Sequence, residues 1–359
     1  MQIGVIYPRV PRPDLHGGDN RLVQLMGLMT ALGHEITLFV HHLRDRQVES
    51  RWPLHAISPN TISQLSTLHH FDVLWISYYD LALLYTKKGR AAHLADYFIL
   101  DTVDAHSLRE AREAILYADA RKRSSAEETR RKEQTAYEHT DAIVAVSEPD
   151  ALYISGQLVR HRPIYIVGNV HSVGAPVTFE SGPRPEIAFV GAYGHAPNVD
   201  AVMYFVHSIL PRVLLSVPSV RFIVVGSQAE LLSSRLPDTE HIAMIGHVES
   251  VERYLSHCRV FVAPLRFGAG VKGKVGQAMA IGLPVVTTSV GAEGLKVQSG
   301  HQILLRDDAA SFADAVVDVC VDVGLWYHLS RASMQHVDEN FGPAAVIERL
   351  SHVLSRVNV

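Results

Sequence analysis

The chain has 359 residues, 47% of them hydrophobic, with 33 basic and 37 acidic side chains for a formal charge of −4. That length exceeds one ordinary core and suits two α/β domains, and that hydrophobic share excludes a disordered chain. The slightly acidic balance excludes a broad basic field for nucleic acid, and two cysteines, Cys258 and Cys320, give neither a disulfide framework nor a cysteine metal site, which fits a reducing cytoplasm.

The opening residues, Met1-Gln2-Ile3-Gly4-Val5-Ile6-Tyr7, lack a basic leader and read as a buried strand over 2–7, not as a signal peptide. No apolar run reaches membrane-spanning length. The loop 8–20 ends in Gly17-Gly18-Asp19-Asn20-Arg21. Leu22, Leu25, Met26, Met29 and Leu32 then recur at helical spacing, with Asp19 or Asn20 as the expected cap and Gly33 near the end. Strands are expected over 35–40, 72–76 and 97–100. The last runs into Asp101-Thr102-Val103-Asp104-Ala105-His106-Ser107-Leu108-Arg109-Glu110. Polar residues just past such a strand are where α/β folds place ligands, so Asp104 and His106 are site candidates. The other reading makes Asp104 or Ser107 a helix cap and leaves His106 on the surface. The 21 histidines include His41-His42 and His69-His70, which lack ligand spacing and read as surface residues.

Residues 108–139 alternate in charge, with Arg109 and Glu113 among the helix-spaced pairs, and read as a solvated helix or helix pair. A sharper reading turns Arg121, Lys122, Arg123, Arg130, Arg131 and Lys132 toward a membrane or a lipid-diphosphate acceptor, against the interleaved glutamates. Residues 142–146 are a strand, and Ser147-Glu148-Pro149-Asp150 starts a helix with a capping box. A strand over 164–167 closes the first series. Glycines and prolines between 168 and 185 mark a linker.

A second series opens with a strand over 187–190, the loop 191–198 and a long helix to about Val217. Strands follow over 220–225, ending at Gly226, and over 241–245, ending in Gly246-His247-Val248. Val251, Tyr254 and Leu255 suit a short helix before a strand over 260–263. Then comes Gly268-Ala269-Gly270-Val271-Lys272-Gly273-Lys274. Val275, Ala278, Met279 and Ile281 follow at helical spacing, Gly282 stops the helix, and Pro284-Val285-Val286-Thr287-Thr288 opens the next strand. A strand thus feeds a glycine–lysine loop that opens a helix. Free N–H groups and the positive dipole end gather there, and two lysines add full charge, which suits a diphosphate. The alternative is an ordinary loop with solvated lysines. Neither the G-x-x-x-x-G-K-[ST] nor the early G-x-G-x-x-G pattern is present. Gly291-Ala292-Glu293-Gly294 reads as a turn and Ser311 to Val323 as an amphipathic helix. Val346, Ile347, Leu350, Val353, Leu354 and Val357 line one face of a final helix.

The stretch Gly268-Ala269-Gly270-Val271-Lys272-Gly273-Lys274, with Ala278-Met279-Ala280-Ile281-Gly282-Leu283-Pro284-Val285-Val286 after it, resembles the C-terminal signature of GT-B nucleotide-sugar glycosyltransferases. These form the large retaining group called family 4, and the stretch resembles a branch found among bacterial surface-polysaccharide enzymes. The Asp101 to Glu110 run, the Gly17-Gly18 loop and the Pro197-Asn198 helix start resemble the same branch. The signature's two glutamates are replaced by Ala269 and Gln277.

The resemblance implies an α/β GT-B architecture of two Rossmann-like domains facing a cleft. Residues 1–170 form the acceptor-side domain, completed by about 343–359; 171–185 form the linker and 186–342 the donor-side domain. The chain crosses back near Phe341-Gly342-Pro343. It also implies donor contacts from Gly17, Gly18, Gly191, Gly194, Gly246, His247, Val248, Gly270, Val271, Lys272, Gly273, Lys274, Gln277 and Glu293. Catalytic roles fall to His106, Asp104 and Lys274. Gln277 would meet the donor ribose through a neutral amide, and Glu293 would bind sugar hydroxyls or cap a turn. The activity implied is transfer of a sugar from a nucleoside-diphosphate sugar to a glycan, lipid-linked or other acceptor. Retention is implied too. No D-x-D occurs, so no metal or other cofactor is expected. The rival readings are a nucleotide-sugar epimerase or hydrolase on the same fold, or an inactive nucleotide- or partner-binding descendant. The expected location is cytoplasmic, with peripheral contact to the inner face of the membrane left open.

Overall fold

The computed structural model describes residues 1–14, 16–43, 50–179 and 185–357. The chain forms two compact units. Met1–Pro13, Gly18–Val170 and Val346–Val359 make the first, and Asp14–Gly17 with His171–Ala345 the second.

The first unit contains β1 (Gln2–Arg9), α1 (Gly17–Ala31), β2 (Glu35–His42), β3 (Leu54–Ala56), α2 (Ile62–Leu65), β4 (Phe71–Ser77), α3 (Tyr79–Ala91) and β5 (Ala95–Asp101). It continues with α4 (His106–Leu116), α5 (Ala120–His139), β6 (Ala142–Ala145), α6 (Glu148–Ser155) and β7 (Ile164–Ile166). Its seven strands are parallel, in the order β3-β2-β1-β4-β5-β6-β7. Strand side chains alternate between two buried faces. Ile3, Val5 and Trp75 pack with Leu22 and Leu25 of α1, whereas Ile6, Leu74 and Phe98 pack with Leu81 and Tyr85 of α3. A buried ion pair fastens α1 to the sheet: Arg21 bonds Asp101 at 2.7 Å and donates to the Val167 carbonyl.

The second unit contains β8 (Glu186–Val190), α7 (Ala196–Tyr204), a π-turn (Phe205–Ile209), α8 (Leu210–Ser216), β9 (Arg221–Val225), β10 (Ile242–Gly246), α9 (Val251–Leu255) and β11 (Val260–Ala263). Next come α10 (Gly273–Ala280), β12 (Val285–Thr287), α11 (Ser289–Ala292), β13 (Leu304–Leu305), α12 (Ala309–Val321) and α13 (Val323–Phe341). The six strands are parallel in the order β10-β9-β8-β11-β12-β13, over one large apolar core. The closing helix α14 (Pro343–Ser355) starts in this unit, and from Val346 onward its apolar face belongs to the first unit's core.

Several expectations are revised. The helix α1 starts at Gly17, because Asp19 is not a cap but a fully buried carboxylate that accepts from Tyr7, Arg9 and the Arg12 N–H. The long helix after β8 is broken by the π-turn, next to Pro211, which has no N–H to continue the regular pattern. Ala196–Ser216 is long enough to cross a bilayer and has an 18-residue window of mean hydropathy 1.3, so the absence of any membrane-length apolar segment does not hold for this helix. Its Ala201, Val202, Phe205, Ile209 and Val213 nevertheless pack into the core. The turn expected at Gly291 is the helix α11, capped by the Thr288 hydroxyl. The helix expected from Ser311 starts two residues earlier, after the Asp308 cap, and stops before Asp322, which caps α13. Of the linker residues, His171, Gly174 and Val177 bond to Phe341, Ala280 and Ile281, and so pack as part of the second unit. Residues 180–184 lie outside the described residues.

Candidate functional site

In the second unit the chain runs from β8 outward to β10, then returns to the other side of β8 as β11. The loops after β8 and β11 therefore leave in opposite directions and open a crevice, the usual ligand position of a doubly wound sheet. The glycine–lysine loop and α10 stand at this switch point. Gly268 and Gly270 take φ of 155° and 70°, conformations that other residues reach only with strain. The start of α10 leaves the first-turn N–H groups without helical partners.

The two lysines are held in different ways. Lys272 is 9% exposed, donates to the Gly270 carbonyl at 2.6 Å and lies 3.7 Å from the Glu293 carboxylate. It ties the loop to the segment after α11. Lys274 bonds the Asn198 side-chain oxygen across the crevice, and its ammonium stands 4.2 Å from the centre of the Phe189 ring. Burial, and then the neighbouring Lys272 charge, push its pKa down to about 7. No carboxylate pairs with Lys274 among the described residues, so this ammonium is short of negative charge. An anion entering the crevice would supply it.

Other expected contacts are less open. The Gly191 N–H is already bonded to the Val225 carbonyl, and a Cβ at Gly191 would meet Asn198 at 2.8 Å. Its backbone is therefore a seat for Asn198 and not a free donor. Gly194 is exposed and faces the Gln228 amide. Gly246 has a φ of 76° and its carbonyl accepts from Gly226, while His247 follows it on the surface and Val248 turns into a small core with Ile223 and Val225. Gln277 lies one turn beyond Lys274 on α10, and its amide donates to Glu252 of α9. Val271 and Gly273 complete the loop. Asn198 shows in the sequence only as part of the Pro197-Asn198 helix start, and Phe189 of β8 and Glu252 of α9 have no signal there, because each reaches the site from a separate element.

In the first unit the corresponding switch point lies between β1 and β4. Tyr78 follows β4 with φ 72°, and Val103 follows β5 with φ 63°. Positive φ is costly for an aromatic and more so for a β-branched residue, and such strain gathers at functional sites. A Cβ at Gly18 would meet the Tyr78 hydroxyl at 3.0 Å and Val103 at 3.4 Å, so the bare backbone of α1 closes one side; Gly17 precedes it with open space. His106 opens α4. Its Nε2 lies 2.9 Å from Asp104, whose other oxygen accepts from Arg109. The rings of Tyr78 and Tyr79 stand 5.9 and 5.3 Å from the imidazole. Burial opposes the charged imidazole, but the Asp104 carboxylate and its hydrogen bond outweigh that and hold the His106 pKa above its usual value. Burial pushes the Tyr78 hydroxyl up to about 12.

The alternative of Asp104 or Ser107 as the cap of α4 does not hold. The cap is Glu133 of α5, which is 1% exposed and accepts from the His106 N–H at 2.7 Å, the Ser107 N–H and the Ser107 hydroxyl. Burial raises its pKa. Asp104, His106, Glu133, Tyr78 and Val103 thus form one constellation from four segments, of which the sequence pointed to two residues.

These two parallel, doubly wound sheets, each with its polar cluster at the topological switch, define a protein of the two-Rossmann GT-B class. Residues 184–322, within the second unit, match the model of the family described as Glycosyl transferases group 1. The chain is similar over 99% of both lengths to sucrose-phosphate synthase from Thermosynechococcus elongatus, with a TM-score of 0.80 at 15% identity. HepE of Anabaena in complex with UDP-glucose gives 0.74 at 11% identity, over 99% of this chain and 100% of that one. The lipopolysaccharide outer core galactosyltransferase WaaB gives 0.66 at 12%, again over 99% and 100%. A Klebsiella pneumoniae protein, "Uncharacterized 44.6 kDa protein in cps region", is 24% identical over 173 residues, which are 46% of this chain. The match spans 44% of that relative's length. The expected GT-B fold is observed, with structural neighbours of that class.

Proposed function

We propose that the protein transfers a sugar from a nucleoside-diphosphate sugar to a glycan, lipid-linked or other acceptor, with retention and without a metal. The observation that carries this reading is Lys274. An ammonium held at a helix start, bonded only through the neutral Asn198 amide and an aromatic face, is a preset positive charge awaiting an anion. The β-phosphate of the donor satisfies it, and the first-turn N–H groups of α10 share the load. As the glycosidic bond breaks, negative charge grows on the leaving diphosphate, and charge already in place stabilises it without reorganisation. This fixed charge supports metal independence, since it occupies the role that a cation would take. HepE was solved with UDP-glucose and with UDP and glucose, and TarM with UDP and α-GlcNAc-glycerol, which supports a uridine diphosphate donor as the first to try.

In the first unit, His106 would donate to a sugar hydroxyl, with Asp104 fixing the ring and Glu133 fixing the helix start. A surface-glycan acceptor is supported by the lipopolysaccharide galactosyltransferase neighbour and by the relative from the cps region. The cytoplasmic face is the location that fits a nucleotide-sugar donor.

The test is a thermal-shift panel of UDP, GDP, TDP, ADP and CMP without metal, on wild type and Lys274→Ala. One nucleotide should raise the midpoint of the wild type, with a smaller rise in the variant. No shift at millimolar nucleotide would overturn the diphosphate site. Donor hydrolysis or transfer with the responsive nucleotide's sugars then tests turnover.

A further inference from the structure

The helices α4 and α5 form an antiparallel hairpin. Glu110 accepts from Thr129, Glu113 pairs with Lys122, and Glu133 reaches back to Ser107. Its turn, residues 117–119, is the end farthest from His106. Two large apolar side chains stand in solvent at this tip: Ile115 is 71% exposed and Tyr117 is 49% exposed. A surface isoleucine alone means little. Here it is followed within two residues by an exposed tyrosine, and the two are backed by Arg121, Lys122 and Arg123.

The charges around the tip are not balanced. From Glu113 to Arg123 there are three basic residues and two acidic ones. Both acids are engaged within the hairpin. Glu113 binds Lys122, and Asp119 caps α5 by accepting from the Arg121 and Lys122 N–H groups. Farther along α5, Arg130 and Arg131 are matched by Glu127, and Lys132 by Glu128. The exposed Arg121 and Arg123 guanidinium groups have no acidic partner among the described residues. Lys122 lies 5.6 Å from the centre of the Tyr117 ring. So a run that looks uniformly mixed in sequence sorts in three dimensions. Its middle is self-neutralised, and its tip is cationic and apolar on a chain of net charge −4.

We propose that the α4–α5 tip docks on an anionic lipid surface. Ile115 and Tyr117 enter the headgroup region, and Arg121 and Arg123 meet lipid phosphates. The pattern of an aromatic and an aliphatic side chain beside arginines suits the bilayer interface, where each part finds its own layer. A convex tip suits a soft, extended surface better than a pocketed protein partner. The docking is reversible, because so small an apolar area anchors only with electrostatic help. It does not rest on the diphosphate site, and it gives the protein access to acceptors carried by lipid.

The experiment is flotation of the full chain with vesicles of phosphatidylcholine alone and of phosphatidylcholine with 30–40% phosphatidylglycerol (roughly the range that gives a strongly anionic surface). The wild type should float with the anionic vesicles and stay behind with the neutral ones. Arg121→Glu/Arg123→Glu should lower the bound fraction about tenfold or more, and Ile115→Ser/Tyr117→Ser should lower it several-fold. Unchanged melting midpoints would show that both variants fold. High salt should release the wild type. The proposal is overturned if the wild type ignores anionic vesicles, binds both vesicle types alike, or if the tip variants bind as the wild type does.

Discussion

The two units carry similar sheets and opposite kinds of site. In the second unit the site has a cation without a counter-charge: the Lys274 ammonium has no carboxylate partner among the described residues, and burial lowers its pKa. In the first unit the charges of the His106 cluster are matched before a ligand arrives. His106 has Asp104, Asp104 has Arg109, and Glu133 holds the start of α4. What the first unit stores is backbone strain, at Tyr78 and Val103. The comparison suggests a division of labour. One unit attracts and binds, and its energetics are electrostatic. The other positions, and its energetics are conformational.

The largest effect that could break this comparison is at Lys274. Removing one charge-assisted bond costs about 1.5–3 kcal/mol, so Lys274→Met should weaken diphosphate binding by about 10- to 150-fold. A nucleoside without phosphates should bind wild type and variant alike. Equal loss for both, measured by calorimetry, would assign Lys274 to folding and not to the anion. The depressed pKa adds a signed prediction. With a value of about 7 in the free protein, roughly half of the ammonium is lost at neutral pH. The anion favours the protonated form, so binding should take up a proton. Affinity should therefore fall as pH rises above about 7, by at most about tenfold per unit. Lys274→Met should abolish both the slope and the uptake, which calorimetry in buffers of different ionisation heat reads directly.

This asymmetry also explains what the sequence disclosed. The second unit's cluster is nearly contiguous: glycines, lysines and the helix start follow one another from Gly268 to Lys274, so a linear reading finds them. Its supporting residues come from β8 and the start of α7: Asn198 is visible only as part of a helix start, and Phe189 left no linear trace. The first unit's cluster joins Tyr78, Val103, His106 and Glu133 across 56 positions, from 78 to 133. Only the polar run after β5 could be read. Nothing in the identity of Val103 announces a left-handed backbone, since β-branched residues avoid it. Glu133 sat within a charged helix that looked solvated, and Asp19 looked like a cap when it is a buried hub. Alternation and helical spacing revealed both sheets because they repeat. A single buried carboxylate does not repeat.

Next in size is Glu133→Ala. It leaves two N–H groups and the Ser107 hydroxyl without their acceptor in a closed setting, which costs about 1–3 kcal/mol. Thermal melting should show a drop of several degrees, and turnover should fall further as His106 loses its seat. Val103→Gly sharpens the contrast from the other side. Glycine relieves strain of about 1–3 kcal/mol and costs up to about 1 in chain entropy, so the melting midpoint should hold or rise. Turnover should fall all the same, because the segment bearing Asp104 and His106 is freed. A variant that melts lower would mean that Val103 is tolerated there by packing and not held under strain.

The smallest expected effect is at Gln277, where the two kinds of site meet in one residue. Its amide donates to Glu252, so the pair presents a carboxylate and an amide oxygen one helical turn beyond Lys274. Both are neutral or anionic, and neither helps a diphosphate. Their use is hydrogen bonding to a hydroxyl-rich group next to it, and an exposed neutral bond of that kind contributes about 0.5–1.5 kcal/mol. Gln277→Ala should therefore weaken UDP binding by only about two- to tenfold, leave the proton uptake at Lys274 intact, and weaken inorganic pyrophosphate not at all. If instead pyrophosphate binding falls in step with UDP, Gln277 acts by shaping the start of α10, and the second unit's site depends on packing as the first unit's does.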